Sequence, residues 1–350
     1  MSSRGELKKM SKKDLDWENL GFEYHETDKR YIANYKNGEW GEGKLISDPN
    51  VVINESAAVL QYCQQVFEGL KAYTTKDGSV VTFRPDLNAK RMLNSAEGLQ
   101  MPPFPEERFL EAVDQVVKAN LDWVPPYGTG ASLYLRPFIF GTKDVIAIKP
   151  AEEFQFRLYA TPVGPYFKGG VNPLILRVSK YDRAAPRGTG QLKAGLNYAM
   201  SLNTTVEAHE EGYDENLFLD AATRTYVEES GGANIIFITE DKELVTPKSS
   251  SILPSITKRS ILYLAENYLD LKVTERPVKL EEVKDFAEAG LCGTAAVISP
   301  VGKIVNGDQE IIFPSGMDAM GPIIKKLYET LTQMQLGVLE APAGWIRKIK

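Results

Sequence analysis

The sequence predicts a mixed α/β (α+β) protein of two domains, in which helices and strands alternate irregularly. Three observations carry this expectation. A chain of 350 residues exceeds the usual size of one compact domain. Segments of two-residue apolar alternation are interspersed with segments of helical spacing. The stretch Pro162-Val163-Gly164-Pro165-Tyr166-Phe167-Lys168-Gly169-Gly170 is dense in the residues that punctuate structure. The expected division is therefore a smaller N-terminal α/β domain over 1–161, an interdomain loop over 162–173 and a larger C-terminal domain over 174–350.

In the first domain, residues 69–73 and 79–83 alternate as strands. Residues 86–99 set Ala89, Met92, Leu93 and Ala96 along one side of a helix, and 106–120 form a second amphipathic helix. Strands over 131–140 and 154–161 complete it. Beyond the junction come a strand at 174–179, a loop to Lys193 and a helix at 197–211. Short strands at 217–221, 226–229, 235–239 and 244–246 follow, joined by polar turns such as Thr239-Glu240-Asp241-Lys242. A helix at 256–268, a strand at 272–275, a helix at 280–289, a strand at 295–299 and a helix at 322–336 finish the chain.

Bulk properties exclude several classes of function. A net charge of −6 and a pI near 5.3 give no general attraction to phosphate backbones or anionic lipid, so neither nucleic acid nor membrane is an expected partner. Met1 to Leu20 mixes lysines with acids and lacks the apolar run of a signal peptide, and a cytoplasmic location is expected. Cys63 and Cys292 lie far apart in apolar stretches and read as small core residues. Only two histidines, His25 and His209, are present, so no metal site is expected.

Five short segments hold candidate chemistry. The loop Arg187-Gly188-Thr189-Gly190-Gln191-Leu192-Lys193-Ala194-Gly195-Leu196-Asn197-Tyr198 sets one lysine among small residues just before a helix. A bulky ligand can approach there, and an amine taken into a pocket favours its uncharged, nucleophilic form. Leu253-Pro254-Ser255-Ile256-Thr257 opens a helix whose free amides suit a phosphate, or Ser255 is simply an N-cap.

Alternation sends Glu228 and Glu229 to opposite faces of a strand that runs into Gly231-Gly232. One carboxylate can then meet a pyridine nitrogen, or both are solvated. Arg91 on the first helix is either exposed or offers a phosphate two parallel hydrogen bonds. Tyr134 and Arg136 share a strand face, where they bind a carboxylate or form a buried structural pair.

Taken in order, these residues resemble the branched-chain aminotransferases, pyridoxal-phosphate enzymes of fold type IV, from about Trp17 to the C-terminus. The most specific pieces are Val66-Phe67-Glu68-Gly69-Leu70-Lys71, the Lys193 loop, Glu229 with Asn234, Leu253 to Thr257, and Gly293-Thr294-Ala295. The resemblance implies a barrel-like sheet with surrounding helices in the second domain and a homodimer. Its cofactor would be pyridoxal 5′-phosphate. Its substrates would be leucine, isoleucine and valine with 2-oxoglutarate, glutamate and the 2-oxo acids, in a ping-pong cycle.

By position, Lys193 resembles the Schiff-base lysine and acid/base, Tyr198 the partner of the cofactor's phenolic oxygen, and Glu229 the pyridinium partner. Arg91, Ile256, Thr257 and Thr294 resemble the phosphate cup, Leu253 the residue packed on the ring, and Gly232 the point of close backbone approach. Tyr62, Phe67, Tyr134, Arg136 and Tyr166, joined by Phe22, resemble the substrate wall, and Thr294-Ala295 the grip on the α-carboxylate. Ser255 departs from the glycine of many relatives. Ala296 and Ser299 replace the paired thiols of the animal mitochondrial forms, so no thiol switch is expected.

Overall fold

The computed structural model describes residues 12–165 and 172–349. Its two sheets are built from strands whose burial follows the sequence pattern. In the first, the spatial order is Ile346–Lys348, Val80–Phe83, Leu70–Thr74, Ser132–Gly141, Phe154–Val163, Arg30–Lys36 and Glu39–Trp40. The long central strand Ser132–Gly141 divides its side chains by alternation. Leu133, Leu135 and Ile139 are fully buried in the core, and Tyr134, Arg136 and Phe138 take the other face.

Helices Pro85–Gly98 and Glu106–Ala119 close that core. Phe104 stacks on Phe156 with ring centroids 3.9 Å apart, and Phe109 meets Phe156 edge-on.

The second sheet contains a closed barrel of six strands. Asn234–Thr239, Phe286–Gly293, Val297–Asn306, Leu174–Val178, Glu215–Leu219 and Tyr226–Ser230 pair in that order, and the Glu229–Asn234 pairing closes the ring. Ile235 and Phe237 point into the barrel with Leu176, Leu217 and Val301. Ile236 and Ile238 point outward under helices Ile256–Tyr268 and Pro322–Gln335. Burial on both faces explains the unbroken apolar run Ile235-Ile236-Phe237-Ile238. The barrel-like sheet implied for this part of the chain is present.

The chain crosses between the two sheets twice in ways that matter for the site. Leu192 and Ala194 pack into the first core, and Ala194 bridges to Val66, so Lys193 is held at the seam. At the other end, Ile346–Lys348 returns to pair with Val80–Phe83, although its sequence follows the second sheet.

Three expectations need correction. Residues 280–289 are not a helix but a 3-10 turn, Leu280–Asp285, followed by the barrel strand Phe286–Gly293. That strand is hydrogen-bonded on both sides, and its pairing outweighs the helical preference of its Ala and Glu residues. The strand expected at 295–299 begins only at Val297 and runs to Asn306. Cys63 is exposed rather than core, because it ends the short helix Ala58–Tyr62 in a left-handed turn; Cys292 is buried as expected. Among the described residues, no helix is long and apolar enough to cross a membrane, and no group of three metal-ligating side chains occurs.

Candidate active site

At the seam lies a cavity of about 180 Å³ lined from both sheets. The first sheet contributes Phe67, Gly69, Tyr134 and Arg136, and the helix behind it Arg91. The second contributes Glu229, Gly232, Asn234, Leu253, Ile256, Thr294 and Ala295. Lys193 and Tyr198 enter from the segment between them.

Lys193 is fixed by its backbone. Its N–H donates to Ser95 Oγ at 2.9 Å, and its carbonyl accepts from Phe67 N at 3.0 Å. The side-chain Nζ then reaches Tyr198 Oη at 2.9 Å and sits 4.8 Å from the Phe67 ring centre. Tyr198 is on the first turn of helix Gly195–Glu210, directly after the lysine, which sets this reach. Phe67 meets Tyr198 edge-on at 4.9 Å.

Glu229 lies across the cavity. Its Oε1 accepts from Leu253 N at 2.9 Å and pairs with Arg183 Nη2 at 2.7 Å, and its Oε2 accepts from Asn234 Nδ2 at 2.6 Å. Burial nevertheless pushes its carboxyl from 4.5 up to about 7, against the opposing pull of Arg183 and the Leu253 amide. Glu228, on the alternate face, accepts instead from Ser249 and Ser251. Strand alternation separates the two carboxylates, and Glu229, the one the family resemblance implies, is the one that lines the cavity.

Arg91 lines the cavity, but the fork expected for a phosphate is engaged. Nε donates to Glu68 Oε1 at 2.7 Å and Nη2 to Glu68 Oε2 at 2.8 Å, while Nη1 donates to Pro254 O at 3.1 Å. Glu68 is completely buried, and without this cation it would be a bare charge in the core. Asn88 Nδ2 also donates to it at 2.7 Å.

Ser255 caps helix Ile256–Tyr268 by accepting from Lys258 N at 3.1 Å. The amides of Ile256 and Thr257 belong to the same first turn, where no intrahelical acceptor exists. Thr257 lines an adjoining recess with Ile256, Gly293 and Thr294 rather than the main cavity.

Tyr134 and Arg136 form a pair, with Arg136 Nη2 donating to Tyr134 Oη at 3.1 Å. At Gly69 a Cβ would stand 2.0 Å from the Tyr134 hydroxyl oxygen, so any larger residue there displaces that ring. At Gly232, which lines the cavity, the opposite holds: an added Cβ would have no atom within 4 Å. Cys292 also lines the cavity, but burial pushes its thiol up to about 12 and leaves it unreactive.

Two expected wall residues lie elsewhere and one falls outside the described residues. Tyr62 is at the surface, its hydroxyl donating to Ile146 O at 2.5 Å, because its short helix buries only Ala58. Phe22 is exposed and lines no part of the cavity. Tyr166 lies outside the described residues. The sequence reading missed Arg183 altogether. Its only signal was a cation in the small-residue loop Asp182-Arg183-Ala184-Ala185 ahead of the glycine-rich segment. Lys71, to which the sequence assigns no role, is buried and donates to Ala295 O at 2.7 Å.

Residues 65–304 match the family model described as amino-transferase class IV. A branched-chain-amino-acid aminotransferase of Haemophilus influenzae is 50% identical over 343 residues, spanning 97% of this chain and 100% of that relative. The chain belongs to the branched-chain aminotransferase family. Among solved structures, the branched-chain aminotransferase of Thermoproteus uzoniensis with norvaline superposes with a TM-score of 0.77 at 27% identity, covering 93% of this chain and all of that one. The branched-chain amino acid aminotransferase of Thermobaculum terrenum, solved in its PLP-form, gives 0.75 at 25% identity, with 93% and 100% coverage. As a fold-type IV aminotransferase, this family member carries its cavity where the two sheets meet, and both sheets supply its lining.

Proposed function

We propose that the chain transfers the amino group between branched-chain L-amino acids (leucine, isoleucine and valine) and 2-oxoglutarate, using pyridoxal 5′-phosphate in a ping-pong cycle. The observation that carries this reading is the convergence of Lys193, Tyr198, Glu229 and Arg91 on a single cavity.

The residues present fit that cofactor. Glu229 supplies a buried carboxylate partner for a ring nitrogen, and the cavity between Gly232 and Leu253 leaves room for a flat ring. Asn234 Oδ1 and Arg183 Nε are buried beside Glu229 with no partner among the described residues. The first-turn amides of Ile256 and Thr257 offer free donors for a phosphate, joined by the N–H groups of Arg91 beyond those given to Glu68 and Pro254 and by the Thr294 hydroxyl on release of Gly69 O. Leu253 offers an apolar contact for the ring. When bound, the cofactor supplies a carbonyl that accepts an amine and a ring that draws off electron density.

The chain's own residues then do the rest. Lys193 is the amine that holds the cofactor and moves the proton between the substrate α-carbon and the cofactor, and Tyr198, 2.9 Å away, orients that amine. Phe67 and Tyr134 form an apolar wall, where each buried methylene of a branched side chain contributes roughly 0.8 kcal/mol. Arg136 and the Tyr134 hydroxyl receive the side-chain carboxylate of 2-oxoglutarate or glutamate, and the Thr294-Ala295 turn receives the α-carboxylate.

Purified protein should be yellow, and Lys193→Ala should abolish both the colour and transamination. A colourless wild type that cannot be loaded with pyridoxal 5′-phosphate would overturn the reading. Glutamate formation from 2-oxoglutarate should occur with L-leucine and not with D-alanine. The proposal includes a homodimer, supported by Tyr62 and the exposed Ile146 and Ile148 on neighbouring segments. Sedimentation that finds a fully active monomer would remove the dimer from it.

A further inference from the structure

The recess that holds Thr257 runs on from the catalytic cavity, and Gly69, Ile256, Gly293 and Thr294 line both. Strand Leu70–Thr74 walls it on one side. Asn88 of helix Pro85–Gly98, the first turn of helix Ile256–Tyr268 and Gln335 at the end of helix Pro322–Gln335 enclose the rest. Among the described residues, Lys71 is the one charged side chain in this lining. It is paired across the sheet with Tyr134, so it leaves its strand on the face that lines the cavity. The side chain is buried, and its Nζ donates to Ala295 O at 2.7 Å.

A phosphate monoester carries a charge of about −1.5 to −2 at pH 7, and the other cations around this junction are already matched. Arg91 binds both carboxylate oxygens of Glu68, so the pair is neutral as a whole even though it keeps N–H groups to donate. Arg183 is paired with Glu229, and Lys258 with Glu275 at 3.1 Å. The N-terminus of helix Ile256–Tyr268 adds only about half a charge. Tyr73 shares the recess, but burial and Tyr328 push its phenol up and keep it neutral.

Lys71 differs from these cations. Burial lowers its pKa, and no carboxylate offsets that shift. A buried cation without a counter-ion is costly, and an anion brought beside it removes much of that cost.

On the cofactor reading given above, we propose that Lys71 is a cofactor-binding residue whose ammonium is the counter-charge of the cofactor phosphate. One of its N–H groups stays on Ala295 O, so a single amine links the phosphate end of the site to the Thr294-Ala295 turn. Its contribution is specific to the phosphate. Pyridoxal, which has the same ring and aldehyde but no phosphate, gains nothing from it.

The test titrates cofactor-stripped protein at pH 7 with pyridoxal 5′-phosphate and, separately, with pyridoxal, following imine absorbance. A wild type that binds neither would overturn the cofactor reading and this role with it. Where wild type binds both, Lys71→Met should weaken pyridoxal 5′-phosphate at least tenfold and pyridoxal less than twofold. Lys71→Gln, which carries no charge but can still donate to Ala295 O, should show the same selective loss. Equal losses for the two ligands would make Lys71 a packing residue, and wild-type affinity in Lys71→Gln would leave only the hydrogen bond to the turn; either result overturns the proposal while leaving the cofactor reading intact. Should neither variant fold, a crystal structure of the cofactor-loaded wild type decides. Nζ joined to the phosphate directly or through one ordered water supports the role, and Nζ screened from it by protein atoms overturns it.

Discussion

Arg183 Nη2 stands 2.7 Å from Glu229 Oε1, and both side chains are buried at the barrel closure. The pair ties the loop ahead of the glycine-rich segment to the strand that carries the acid. Arg183 also donates from Nη2 to Gly190 O at 2.9 Å and Ser251 O at 2.5 Å, so one guanidinium gathers three segments of the site. Replacing it with an apolar side chain leaves Glu229 buried without its cation.

Arg183→Met should therefore cost roughly 3–5 kcal/mol of stability, the range for breaking a buried pair by removing one partner. It should also weaken cofactor retention, since the carboxyl becomes harder to ionise. Urea unfolding of the cofactor-free protein and loss of absorbance on dialysis measure the two effects. An unchanged urea midpoint would show that Arg183 has no part in holding Glu229.

Glu229 should give the cofactor-free protein a distinctive pH profile. Its folded value is raised from 4.5 to about 7, so its contribution to stability is complete below 4.5 and lost as pH rises through 7. The shift corresponds to about 3 kcal/mol, with the opposing Arg183 interaction already included in that value. Wild-type Tm should fall between pH 5 and 7.5, and the Glu229→Gln variant should show a flatter curve. Parallel curves would mean that the carboxyl titrates normally.

Four of the six barrel strands and both main helices of the first domain were legible because their apolar patterns are local. Ile235 to Ile238 and the series Ala89, Met92, Ala96 show this directly. The strand Phe286–Gly293 was not legible, because Ala and Glu favour a helix and only its two neighbours in the sheet decide otherwise. Lys193 stands out from its small-residue loop, whereas Tyr198 and the choice of Glu229 over Glu228 rest on the family resemblance. Arg183, Lys71 and the pairing of Arg91 with Glu68 were not legible. Their roles arise from contacts between segments far apart in sequence, and local pattern carries no record of those.

Gly69→Ala should damage the substrate side of the site while sparing the fold. The added Cβ would lie 2.0 Å from Tyr134 Oη and 2.9 Å from Cζ, so the ring must move and release Arg136. Loss of a hydrogen bond to a charged group is worth about 1.5–3 kcal/mol. KM for 2-oxoglutarate should rise at least tenfold, with cofactor binding retained. A KM within twofold of wild type would show that Tyr134 does not position Arg136 for that substrate.

Lys71 donates to Ala295 O at 2.7 Å, and burial alone draws its amine from 10.5 down to about 8. The bond holds the carbonyl of the turn proposed to bind the α-carboxylate, so Lys71→Met should raise KM for the amino acid and the oxo acid together. The lysine's titration should also appear as a pH-dependent difference in stability between wild type and Lys71→Met. A depressed folded value means that the lysine's contribution is present above 10.5 and lost as pH falls through 8. Relative to Lys71→Met, wild type should therefore gain Tm as pH rises from 8 to 10, provided both proteins remain folded across that range. Parallel Tm curves with unequal KM values would keep Lys71 as a clamp on the turn but reject its depressed ionisation; equal KM values would reject the clamp itself.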